Sequence, residues 1–97
     1  MATETIRKNS ISKYLSTLKE CWFMKVLGTV RGRTGVPDII CVYKGTPIFL
    51  EVKTDKGTAS PKQLIEIDKL RKAKAIVEIV RTRDDVKRII EKVERGK

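Results

Sequence analysis

Two short apolar runs, DIICVY at 38–43 and PIFLEVK at 47–53, are separated only by Lys44-Gly45-Thr46, which is a hairpin signal. A hairpin fixes which side chains face one another, and here the register decides the chemistry. With the loop centred between Lys44 and Gly45, whether two or four residues long, Tyr43 lies opposite Thr46 and Asp38 lies opposite Glu51. A loop of three residues would shift the pairing by one and send the two acids to opposite faces. In the centred register, directly opposite residues have Cβ atoms about 4.5 to 5.5 Å apart, so two like charges meet at a destabilising distance. A cation is expected between them.

Side chains alternate along a strand, so Phe49, Glu51 and Lys53 share one face while Ile48, Leu50 and Val52 share the other. Asp38, Glu51 and Lys53 then form a group of two carboxylates and one ammonium at the ends of neighbouring strands. Hard oxygen ligands of this kind suit Mg²⁺, with waters completing its shell. A carboxylate-held ion polarises a phosphoryl oxygen and acidifies water, while a nearby lysine orients that water or stabilises developing charge. The chemistry these residues point to is phosphodiester hydrolysis. The plainer readings are that Pro37-Asp38 opens a strand as an ordinary turn, and that Glu51 and Lys53 are the wet face of an edge strand. Phe49 shares their face and argues that it is at least partly covered.

Around the hairpin, Ile6, Ile11, Leu15 and Leu18 recur at near-helical spacing and predict a first helix over 3–18. WFMKVLGTV at 22–30 reads as a strand running into the basic loop RGRTG. Ser60, Pro61 and Gln63 open a second helix as N-cap, first helical residue and capping-box partner. AIVEIV at 75–80 is a buried-looking strand, and Val86, Ile89, Ile90 and Val93 stripe a last helix. The order αβββαβα predicts an α/β layer structure with helices packed on a sheet. Trp22 and Phe23 are assigned to the core or to a subunit interface.

The chain has 97 residues with 40% hydrophobic content, which fits one domain spanning 1–97. Its 22 Lys and Arg against 12 acids leave a formal charge of +10, which favours a polyanionic partner, nucleic acid first and an anionic membrane surface second. No run of about 18 apolar residues occurs and MATETIRKNS lacks a signal-peptide core, so a cytoplasmic setting without membrane insertion or export is expected. The chain has no His, which removes the commonest general base and all His-ligated metals, and its two cysteines, Cys21 and Cys41, lack zinc-site spacing. Lys25, Arg31 and Arg33 before the acidic site, with Lys56 and Lys62 after it, are candidate phosphate contacts, although a solvated charge run explains them equally well. Lys69, Arg71, Lys72 and Lys74 read mainly as the wet face of the second helix.

G-V-P-D at 35–38, E-V-K at 51–53 and G-x-x-S-P-K-Q at 57–63 together resemble the VRR-NUC (virus-type replication-repair nuclease) family of the PD-(D/E)XK superfamily, over nearly the whole chain. The resemblance implies a restriction-endonuclease-like core with a central mixed sheet flanked by helices. It implies that Asp38, Glu51 and the backbone carbonyl of Val52 hold Mg²⁺ or Mn²⁺, and that Lys53 assists the attacking water. Gln63 matches the family's downstream Gln, although a capping role accounts for it as well. Glu4 matches an acid in the family's first helix, although an acid favourably placed at a helix N-terminus is the stronger reading. Small stand-alone members resemble Holliday junction resolvases and act as homodimers, in bacterial, phage or viral settings. The resemblance therefore implies an endonuclease for branched DNA with no small-molecule cofactor. Flap, nick or linear-duplex cleavage, and DNA binding without catalysis, are the alternatives.

Overall fold

The computed structural model describes residues 3–26 and 34–96, so Arg31 and Arg33 lie outside the described residues. The chain runs α1 (Glu4–Leu15), β1 (Cys21–Lys25), β2 (Ile39–Tyr43), β3 (Thr46–Val52), α2 (Pro61–Lys72), β4 (Ile76–Val80) and α3 (Arg83–Arg95). The expected order αβββαβα is the observed one. The four strands form one mixed sheet in the order β1-β2-β3-β4, antiparallel except for the β3–β4 pair. Among the described residues no helix is long and apolar enough to cross a membrane.

The hairpin loop contains two residues. Tyr43 pairs with Thr46, and Lys44 and Gly45 both have positive φ, 47° and 84°. Positive φ at both central positions matches the twist of the flanking strands, and this fixes the register. The ladder continues to Ile39 opposite Leu50.

The sheet has two unlike faces. On one, Ile39, Cys41, Ile48, Leu50, Val52 and Val80 are buried with Ile11 and Leu15 of α1 and Val86, Ile90 and Val93 of α3. Each of the larger aliphatic side chains contributes about 1.5 to 3 kcal/mol of transfer free energy when buried. On the other, α2 packs against β4, burying Ile67 and Val77. The Arg71 guanidinium donates to the Val77 carbonyl at 2.8 Å, occupying an acceptor on the edge strand.

Three sequence expectations need correction. Of the two places expected for Trp22, the core is excluded: it is 56% exposed, because Cys21 and Phe23 take the inward positions of β1 and strand alternation turns Trp22 and Met24 to the opposite face. Ile6 is 55% exposed, since its five-residue spacing from Ile11 rotates it about 140° around the helix. Helix α1 stops at Leu15, where the Ser16 and Thr17 hydroxyls bond to the carbonyls of Lys13 and Tyr14. Such local hydroxyl bonds compete with further helical turns. Leu18 nevertheless packs against the core from beyond the helix.

Gly35 joins the layers. Its φ is +81°, and a Cβ there would stand 2.7 Å from the Lys62 carbonyl oxygen. Only glycine lets the segment before β2 touch the first turn of α2 in this way. Gly35→Ala is expected to lower the unfolding free energy by about 2 kcal/mol in urea titrations, combining backbone strain with a backbone clash.

Candidate active site

Asp38 directly precedes β2, and one further step of the ladder beyond Ile39 and Leu50 sets it opposite Glu51 near the end of β3. Its carboxylate is held across the strands: Oδ2 accepts a hydrogen bond from the Val52 amide at 2.8 Å. Glu51 is 1% exposed, and burial is the main cause that pushes its carboxyl up to about 7 from an ordinary 4.5. The neighbouring Asp38 charge raises it further, while Lys53 pulls it down. These are the opposed effects expected for two acids sharing a partly dry site beside an ammonium.

Two ammonium groups answer the pair. Lys53 Nζ lies 3.3 Å from Glu51 Oε2, and Lys8 Nζ lies 3.2 Å from Asp38 Oδ1. Gln63 Nε2 donates to Glu51 Oε2 at 2.7 Å, while its Oε1 accepts from the Ser60 amide at 2.8 Å in a complete capping box. The amide thus caps α2 with one end and orients Glu51 with the other. Glu51 Oε1 is buried and finds no hydrogen-bond partner among the described residues. An orphaned, desolvated carboxylate oxygen is unfavourable unless something cationic completes it.

A solved structure described as "VRR_NUC domain" superposes on the chain with a TM-score of 0.78 and 28% sequence identity, covering 93% of this chain and 97% of that one. This likeness supports membership of the VRR-NUC family. The chain's sheet and helices are arranged as in a PD-(D/E)XK-like nuclease fold, and the likeness supports a nuclease domain. No family model matches the sequence, and no curated protein matches it.

The donor set suits a hard cation: two carboxylates, one just before β2 and one on β3, the latter with a buried oxygen that has no hydrogen-bond partner among the described residues. Among the described residues no three acidic or Cys side chains converge on a point. The third acid named from the sequence, Glu4, approaches through Lys8, whose Nζ is 3.7 Å from Glu4 Oε1. Glu4 also lies in the first turn of α1, where its charge opposes the helix dipole favourably.

The basic residues are more scattered. Lys25, at the end of β1, donates to Asn9 Oδ1 at 2.6 Å. Lys56 and Lys62 are exposed on the turn after β3 and the first turn of α2, on either side of the capping box that carries Gln63. Lys72 pairs with Asp68 at 3.0 Å and Arg71 serves β4, so part of the α2 charge is spent within the domain.

Two residues at the site were not singled out from sequence. Lys8 is one; its only local signal is a position four residues after Glu4 on one helix face. Arg81 is the other. Its Nη1 donates to the carbonyls of Thr54 and Gly57, the latter at 2.9 Å, and so pins the loop that follows Lys53. Arg7 in turn donates to the Arg81 carbonyl at 2.6 Å.

Proposed function

We propose that this VRR-NUC domain is an endodeoxyribonuclease dependent on Mg²⁺ or Mn²⁺ that cleaves branched DNA, with four-way junctions as the preferred substrate. The observation that carries the reading is the opposed pair Asp38 and Glu51, with a lysine on Glu51 Oε2 and nothing on Glu51 Oε1. Asp38, Glu51 and the Val52 carbonyl would hold the ion. When bound, it supplies phosphoryl polarisation and a more acidic water.

The chain's own residues do the rest. Val52 fixes the Asp38 carboxylate through its amide, and Gln63 fixes Glu51, so neither acid has to be ordered when substrate arrives. Lys53, buried beside Glu51, would orient the attacking water and offset charge building in the transition state. Lys25, Lys56 and Lys62 would supply phosphate contacts flanking the scissile bond.

A homodimer suits the same reading. A four-way junction has two-fold symmetry, and two copies present two sites and twice the basic surface of a domain carrying +10. Trp22 and Met24, large and exposed on an edge strand, belong to a face on which a second copy can sit.

The test is a panel of labelled four-way junction, flap, nicked and linear duplex DNA, incubated with Mg²⁺, Mn²⁺ or EDTA. Paired cuts near the junction centre in either metal and none in EDTA are expected, with sedimentation velocity giving the mass of a dimer. Preference for flaps or nicks would keep the nuclease and replace the substrate. Salt-dependent binding of every substrate with no metal-dependent cutting would leave a DNA-binding module.

A further inference from the structure

We propose that Lys8 is a built-in counter-ion of the acidic pair: its ammonium takes the cation position at Asp38 in the metal-free protein and must leave before a divalent ion can bind. The inference rests on the reading of Asp38 and Glu51 as a cation site, and it adds a residue that sets how tightly that site holds its ion.

The four carboxylate oxygens of the pair have distinct surroundings. Asp38 Oδ2 is occupied by the Val52 amide, and Glu51 Oε2 is shared between Lys53 and Gln63. Glu51 Oε1 has no hydrogen-bond partner among the described residues. Asp38 Oδ1 is the remaining oxygen, and Lys8 Nζ sits 3.2 Å from it. An ion held by Asp38 and Glu51 would therefore meet the Lys8 ammonium at Asp38. Mg²⁺ requires oxygens at about 2.0 to 2.1 Å, closer than the ammonium stands, and two cations against one oxygen repel strongly in a site of reduced dielectric.

Lys8 has somewhere to go. Its side chain is 27% exposed, whereas that of Lys53 is 11% exposed and Glu51 lies beneath it. Its second carboxylate contact, to Glu4 one helical turn away at 3.7 Å, is the looser of the two. Departure of Lys8 uncovers Asp38 Oδ1 and frees Glu4 from the ammonium that stands between them, so the site gains negative charge as the ion enters.

Calorimetric titration of Mn²⁺ into chelator-treated protein at pH 8.5 and low ionic strength tests this directly. Lys8→Met retains the apolar stem and the helix preference of the position while removing the charge, and Lys8→Gln provides a second neutral variant with a polar end. Both are expected to bind Mn²⁺ about tenfold more tightly than the unsubstituted protein. Lys8→Arg keeps the charge and should show no such gain. Equal or weaker binding by both neutral variants overturns the counter-ion role while leaving the metal site standing. If the unsubstituted protein binds no Mn²⁺, and Asp38→Asn changes nothing in either background, the metal reading itself has failed and the counter-ion goes with it.

Discussion

Asp38→Asn and Lys53→Met are each expected to lower the single-turnover rate of DNA cleavage by about a thousandfold or more, with far-ultraviolet circular dichroism unchanged. Loss of one preorganised group at a developing charge typically costs a factor of about a hundred to a thousand, and each of these residues has more than one task. Asp38 supplies an anionic oxygen and accepts the Val52 amide bond. Asn at this position still offers that amide an oxygen, so the backbone bond survives while the charge that attracts a divalent ion is lost. Alanine would leave a partly buried N–H unpaired at about 1 to 3 kcal/mol and confuse a folding defect with a catalytic one. Lys53 brings the ammonium against Glu51 Oε2, and Met keeps its bulk without its charge. Cutting by folded Asp38→Asn protein within tenfold of the unsubstituted rate would place the chemistry elsewhere.

Much of this site is local in sequence, which is why it can be read there. Lys44-Gly45 is short enough that one turn conformation determines the facing of every residue in the hairpin, Asp38 and Glu51 included. Gln63 is fixed three residues from Ser60 by the capping box, and its free amide end reaches Glu51 because Gly35 lets the segment before β2 press onto the start of α2. Lys8 is different. Its position in α1 is periodic and unremarkable, and its partner Asp38 is thirty positions away across a layer interface. How a helix is rotated on a sheet depends on the summed packing of Ile11, Leu15 and their neighbours, which no short motif encodes. Trp22 illustrates the same gap. Alternation assigns it to one side of β1, but the choice of which side the helices cover is made by the whole sheet.

Glu51→Gln is expected to stabilise the metal-free domain by about 2 to 3 kcal/mol at pH 8.5 and to leave it nearly unchanged at pH 4. The sign follows from a carboxyl whose pKa in the folded protein, about 7, stands above its ordinary 4.5. Between those values the folded state holds a proton that the unfolded chain has released, so stability is fully present below the lower value and falls as pH rises through the upper one. The amide resembles the protonated acid in shape and lacks its charge, and it still offers Gln63 an oxygen, so it removes most of that loss. Saturating Mn²⁺ should reverse the order of the two proteins. At about a hundred times its dissociation constant an ion that binds only the folded state adds about 2.7 kcal/mol, and it can do so for the carboxylate but scarcely for the amide. Urea titrations at both pH values, with and without Mn²⁺, separate these effects. A variant that is less stable than the unsubstituted protein at pH 8.5 without metal would mean that Lys53 and Gln63 already compensate the buried charge. A variant that Mn²⁺ stabilises equally well would mean that the ion does not use Glu51. The combination expected here, a residue that weakens the empty fold and strengthens the loaded one, requires that the folding of α2, β2 and β3 around the acidic pair store a charge which the ion then neutralises.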